Sequence, residues 1–205
     1  MLCIKLLGVV AMYQNDIKEY LAYEIDTIKK LDIDAINEAM KLIYATYLKK
    51  GNIYIFGNGG SSATASHYQN DFNKGISEYV DTKFNFVCLN DNIATVMAIA
   101  NDIGFEEVFR FQLKGKLKEN DIVIAISGSG NSCNILNGVE YANQCGNKVI
   151  GLTGFNGGTL ATLCDVSLHV PSNSMQITED IHMIFDHLIM GIFYKTICGK
   201  DHIKI

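Results

Sequence analysis

A chain of 205 residues with 48% hydrophobic content holds enough material for one well-filled domain with an appended helical segment. Its net charge of −5 and its one arginine, Arg110, weigh against a nucleic-acid partner, because arginine carries both phosphate and base contacts there. With one guanidinium, any bound phosphate must rest on backbone N–H groups, hydroxyls and helix N-termini.

Residues 1–12, MLCIKLLGVVAM, are apolar. They fall short of the roughly 20 residues that cross a bilayer, and their flanks do not make a signal peptide. They are expected to form a helical packing arm, or to precede a true start at Met12. Residues 15–31 and 34–50 are expected as two helices, with Asn15 and Asp34 as N-caps. In the second, Ile36, Met40, Ile43, Tyr47 and Leu48 form an apolar stripe suited to a core or a subunit interface. The expected division is an arm over residues 1–34 and one compact domain over 35–205.

Asn52 to Asp71, NIYIFGNGGSSATASHYQND, reads as strand, glycine-serine loop and helix. The strand is Ile53–Phe56, and the helix is expected from Ser62 through His67 and Asp71. This geometry points backbone N–H groups at an anion. His67 and Asp71 lie four apart and share one helical face, so an anion cradle leads into an acid–base pair. A nucleotide cofactor is not expected. Gly57-x-Gly59-x-x-Ser62 lacks the third glycine of a dinucleotide fingerprint, and no Gly-Lys-Ser/Thr of a P-loop follows.

Phe84–Leu89 is the second expected strand, and a helix over Ile93–Ala100 follows. Asn101-Asp102 is read as an interruption before a further helix, Phe105–Leu117. Ile122–Ile126 has the continuous apolar character of a buried parallel strand. It enters a second loop, Ser127-Gly128-Ser129-Gly130-Asn131-Ser132, which offers three hydroxyls and open N–H groups. A helix over Asn134–Cys145, strands over Lys148–Leu152 and Val166–Val170, and a long apolar helix over Ile177–Ile197 complete the chain. Alternating strands and helices predict an α/β fold: a doubly wound, five-stranded parallel sheet flanked by helices, with the N-terminal helical arm. Ligands of such sheets bind beyond the carboxyl ends of the strands, where both loops fall.

The terminal helix carries Glu179, Asp180, His182, Asp186 and His187 in an otherwise apolar setting. Glu179 or Asp180 is expected near the face of His187, with His182 and Asp186 on an exposed polar edge. Six cysteines, at 3, 88, 133, 145, 164 and 198, show no C-x-x-C spacing and read as reduced thiols of a cytosolic protein.

Taken together, Gly57-Asn58-Gly59-Gly60-Ser61, His67, Asn101-Asp102, the Ser127–Ser132 loop with Asn134, and Glu179-x-x-His182-x-x-x-x-His187 resemble the sugar isomerase (SIS) domain. Within it they resemble the phosphoheptose isomerases, which convert sedoheptulose 7-phosphate to a heptose 7-phosphate. The resemblance implies an SIS-type fold and a homotetramer with active sites between subunits. It implies that Asn58, Gly59, Gly60, Ser61, Asn101, Asp102, Ser127, Gly128, Ser129, Ser132 and Glu179 meet a sugar phosphate. It gives Asp71 and His187 as the acid–base pair of an enediol mechanism. Some members hold zinc, which implies a ligand set of His67, Asp71, Glu179 and His187. This chain departs from the family's usual residues at Asp71 (usually Glu), Glu179 (usually Gln) and Gly128 (usually Thr). Two other classes are compatible with the resemblance: a non-catalytic adaptor that binds a replication initiator, and a sugar-phosphate sensor. The retained Asp71, Glu179 and His187 favour the enzyme, because neither alternative needs that ionisable set.

Overall fold

The computed structural model describes the backbone of residues 2–199 and the side chains of residues 13–199. Its internal contacts divide the chain into two compact units, one ending at Leu31 and the other beginning at Asp32. The first unit is a single long helix, α1 (Leu2–Ile28). It runs straight through Asn15, the expected cap, because no glycine or proline near that residue interrupts the backbone ladder. The packing expected of residues 1–12 lies outside the described side chains. Ile17, Leu21, Ile25 and Ile28 leave an exposed apolar stripe along α1. No helix among the described residues is long and apolar enough to cross a membrane.

The second unit opens with α2 (Ile33–Leu48). Its cap is Asp32, whose carboxylate accepts the Ala35 N–H at 3.0 Å, and the expected Asp34 sits in the first turn. Ile36, Ala39, Ile43 and Thr46 form the buried face, whereas Leu48, expected in the stripe, is exposed. There follow β1 (Ile53–Gly57), α3 (Gly60–Asn70), β2 (Phe86–Cys88), α4 (Ile93–Asp102) and α5 (Val108–Leu113). Then come β3 (Ile122–Ser127), α6 (Cys133–Gln144), β4 (Lys148–Thr153), α7 (Leu160–Leu163), β5 (Val166–His169) and α8 (Met175–Thr196). The helix expected over Phe105–Leu117 is a 3-10 turn at Phe105–Glu107 followed by the shorter α5. Asn101 and Asp102 do not interrupt α4; they are its last two residues.

The five strands are parallel, in the order β2-β1-β3-β4-β5. β1 and β3 are buried along their whole lengths, as their unbroken apolar runs require. β1 has β2 on one side and β3 on the other, so the winding reverses there and opens a crevice at the strand ends. On one face, Phe56 stacks on Phe109 at 4.6 Å inside a cluster that includes Val123, Val139 and Leu160. Elsewhere Phe72, Phe84, Phe86 and Phe193 pack ring to ring.

At the opposite end of the sheet, the buried Asp121 fixes the start of both central strands. Its carboxylate accepts the Asn52 N–H at 2.7 Å, the Asn52 side-chain amide at 3.0 Å and the Lys118 N–H at 2.9 Å. Asp121→Ala strands two backbone donors, each worth about 1–3 kcal/mol when left unpaired. A loss of about 2–4 kcal/mol is expected in urea denaturation. An unchanged midpoint would contradict this role for Asp121.

Candidate active site

Both Gly/Ser loops leave the sheet at the crevice. Where β1 ends, the Asn90 side chain clamps Gly57, accepting its N–H at 3.1 Å and donating to its carbonyl at 2.9 Å. A Cβ on Gly57 would lie 2.7 Å from Ser61, so the turn requires glycine there. The helix α3 starts at Gly60, two residues before the expected Ser62.

The second loop packs on itself more tightly. The Ser127 and Ser132 hydroxyls are 3.3 Å apart, and the Asn131 N–H donates to the Ser129 hydroxyl at 3.2 Å. Gly130 has a φ of 67°, and a Cβ on it would come within 2.0 Å of the Gly157 carbonyl oxygen. Gly128 faces Met175: a Cβ there would meet its sulfur at 2.7 Å, which accounts locally for a glycine at this position.

Asn58 and Asn134 tie the two loops together through a reciprocal pair of amide hydrogen bonds, both 2.9 Å. A cavity of about 670 Å³ opens here, lined by Asn58, Ser132, Asn134, Phe105 and Glu106 among others. Asn101 and Asp102 are exposed at the end of α4, where the Asn101 amide donates to the Asp102 carboxylate at 2.8 Å.

A second group of polar side chains lies along the seam between α3 and α8. The expected helix through Asp71 stops at Asn70 and passes into a π turn, Asp71–Gly75, in which the Ile76 N–H reaches back to the Asp71 carbonyl. Such turns recur at functional sites, because one extra residue re-aims the side chains around it. One Asp71 oxygen accepts from the Asn70 amide at 3.1 Å; the other lies 3.4 Å from His67 Nε2 and 3.9 Å from His187 Nε2. His67 Nε2 and His187 Nε2 are 3.1 Å apart. The group runs from solvent to interior, with side-chain exposures of 58% for His187, 41% for His67, 12% for Asp71 and 0% for Asp186.

Asp186 and His182 do not lie on an exposed polar edge, as expected; they are 0% and 1% exposed. They fall on the buried face of α8, in step with Thr178, Ile181, Phe185 and Ile189, while Asp180 and His187 lie on its exposed side. Asp186 Oδ2 is 3.9 Å from His67 Nε2, and neither of its oxygens has a hydrogen-bond partner among the described residues. Burial, and secondarily the nearby Asp71 charge, push its carboxyl up to about 8. One ligand atom each from His67, Asp71, Asp186 and His187 falls within 4.8 Å of the others, a donor set able to hold a divalent metal ion.

Glu179 is not in that group. It is half-buried at the far end of the seam, over the start of α3, where a Cβ on Gly60 would lie 2.9 Å from its carboxylate oxygens. Asp180 is exposed. Asn90, Asn134 and Asp186 have structural or chemical roles in the site that the sequence reading did not assign. Asn134 was legible as part of the serine-loop motif, whereas Asp186 gave only the signal of a charge on an apolar helix.

An SIS domain family model matches residues 13–154. The phosphoheptose isomerase of Aliarcobacter butzleri is 36% identical over 179 residues, which cover 86% of this chain and 94% of that one. A Helicobacter pylori phosphoheptose isomerase is 34% identical over 186 residues, covering 90% and 96%. Among solved structures, the phosphoheptose isomerase of Francisella tularensis superposes with a TM-score of 0.81 at 29% identity, over 88% of this chain and 97% of that one. That of Neisseria gonorrhoeae gives 0.82 at 27% identity, over 90% and 100%.

His182 yields a prediction about pH. Burial lowers its imidazole to about 4, and its Nε2 lies 3.3 Å from the Thr153 carbonyl oxygen. The unfolded chain therefore takes up a proton near pH 6.5 that the folded chain refuses until about pH 4. Relative to His182→Gln, the wild type should lose stability as pH falls through that window, by about 3 kcal/mol in all. Urea midpoints of the two proteins at pH 7 and pH 4.5 test this; a constant difference would contradict it.

Proposed function

This chain belongs to the SIS domain family, and within it to the phosphoheptose isomerases, and we propose that it interconverts sedoheptulose 7-phosphate and D-glycero-D-manno-heptose 7-phosphate. The observation that carries the reading is one seam holding Asp71, His67 and His187 within 3.9 Å of one another, on the same helix that the first Gly/Ser loop opens. Gly60 and His67 are seven residues apart, or about 10 Å along α3.

The phosphate belongs on the serine loop. Glu179 already presents a carboxylate to the start of α3, and a phosphate dianion there would meet like charge. Ser127, Ser129 and Ser132 instead supply hydroxyls ahead of α6, beside the backbone at Gly128. The sugar hydroxyls fall to Asn58, Gly59, Gly60, Ser61 and Glu179 at the first loop, and to Asn101 and Asp102 of α4.

Chemistry then needs two net proton shifts, from C1 to C2 and from the C1 hydroxyl to the C2 oxygen, and no net redox change. Asp71 takes the C1 proton of the ketose, and that C–H electron pair becomes the C1–C2 double bond. The carbonyl oxygen at C2 takes a proton from His187, giving an enediol. Collapse to the aldose removes the proton from the C1 hydroxyl, forms the C1 carbonyl and returns a proton to C2. An imidazole suits either half of this exchange, because it can both give and take a proton. Were zinc held by His67, Asp71 and His187, it would supply as a Lewis acid the polarisation of the carbonyl and enediol oxygens that the His187 proton supplies without it, and the Asp71 oxygen turned away from the ion would remain the base.

The assembly we propose is a homotetramer with active sites between subunits. Its support is the exposed apolar stripe of Ile17, Leu21, Ile25 and Ile28 on α1. Light scattering should give four chains per particle at micromolar concentration, and a monomer would contradict the assembly.

Proton NMR of the purified protein with sedoheptulose 7-phosphate should reveal aldose signals; their absence would overturn the assignment. Asp71→Asn and His187→Gln should each lower turnover about 10²–10⁴-fold with the fold intact. Wild-type rates in either variant would remove these roles. Ser127→Ala and Ser129→Ala should each weaken substrate and inorganic phosphate binding by about 10–100-fold, the equivalent of a lost hydrogen bond to a charged group. Unchanged affinities would refute this position for the phosphate.

A further inference from the structure

We infer that Asp186 is a direct ligand of a divalent cation in the α3–α8 seam, completing a set of two imidazoles and two carboxylates with His67, Asp71 and His187, and that Glu179 is not a ligand. The inference rests on the reading of the seam as the active site and goes beyond it by exchanging one member of the set that the family resemblance implies.

Spacing is the first support. Four ligand atoms held tetrahedrally about 2.0–2.2 Å from an ion lie about 3.3–3.6 Å from each other. Here the His67 and His187 Nε2 atoms are 3.1 Å apart, Asp71 Oδ2 is 3.4 Å and 3.9 Å from them, and Asp186 Oδ2 is 3.9 Å from His67 Nε2. All four donors fall within 4.8 Å of one another, so small side-chain shifts suffice to close them on one ion.

Asp186 itself is the second support. It is 0% exposed, and neither oxygen has a hydrogen-bond partner among the described residues. The Tyr68 hydroxyl is also buried without a partner, so it does not serve as the missing donor. A buried carboxylate costs several kcal/mol of desolvation, which the His67 imidazole, 3.9 Å away and beyond hydrogen-bond distance, offsets only in part. A cation would offset it. The third support is charge and position. Asp71 and Asp186 together match the two charges of the ion, whereas Glu179 lies over Gly60, two helical turns before His187.

The test is titration of the metal-free full-length chain with Zn²⁺ and with Co²⁺, by calorimetry and visible absorption. Asp186→Asn should weaken Zn²⁺ binding by at least about 10²-fold, beyond the effect usual for residues behind the ligands, and should change the Co²⁺ absorption band. Glu179→Gln should leave both within about threefold, well under that range. The inference is overturned by wild-type affinity in Asp186→Asn, by an equal loss in Glu179→Gln, or by no binding in the wild type. Should Asp186→Asn fail to fold, a crystal structure of the zinc-loaded wild type decides. An Asp186 oxygen at about 2.0–2.2 Å from the ion supports the inference, and Glu179 in that position overturns it. Sugar turnover of the same wild-type preparation separates the two readings. Isomerisation with no ion on Asp186 leaves the isomerase standing alone. An ion on Asp186 without isomerisation leaves only the metal site.

Discussion

The side-by-side pairing of β1 with β3 is the constraint on which the rest of the site depends. Ile53 pairs with Ile122 and Gly57 with Ile126, so both strands release the chain at the same level of the sheet. A glycine turn must then lead each strand into its helix without obstructing the other. Gly57 and Gly130 meet that requirement: a Cβ on Gly57 would run into Ser61 of its own turn, and one on Gly130 into the Gly157 carbonyl oxygen in the loop after β4. With the loops adjacent, Asn58 and Asn134 reach each other and pair both amides. The first loop thereby becomes part of the floor of the second loop's cavity.

From that crevice the chemistry extends along α3 and not across the sheet. The helix carries His67 toward α8, and the π turn after Asn70 re-aims Asp71 toward the same point. Helix α8 meets it with His187 on the solvent side and Asp186 on the buried side. The seam is thus electrostatically graded. Its outer imidazoles can exchange protons with a substrate, while its inner carboxylate has no partner except through its neighbours. Glu179 stands at the other end of the seam, with its carboxylate over Gly60 at the start of α3.

Much of this was legible in the sequence, for physical reasons. The continuous apolar run of Ile122–Ile126 could belong only to a strand covered on both faces, and it is. Glycines next to serines at strand ends marked both loops, because few other residues permit those turns. Less legible was anything decided by tertiary enclosure. Asp186 and His182 follow the spacing of a polar edge, yet packing around α8 buries both. No local signal announced the π turn at Asp71, where the residue pattern reads as a continuation of α3. Asp34 lost the cap of α2 to Asp32 because two equally good capping residues stand two positions apart. Glu179, expected near the face of His187, lies over Gly60 at the start of α3, since helical spacing fixes a face and not a partner.

The central claim is that this seam moves protons through an enediol. Its most direct measurement is isomerisation of sedoheptulose 7-phosphate in deuterium oxide, followed by NMR and mass spectrometry. An enediol exposed to the outer imidazoles exchanges with solvent, so deuterium should appear at C2 of the aldose and at C1 of recovered ketose. Aldose formed without solvent deuterium at either carbon would contradict the account.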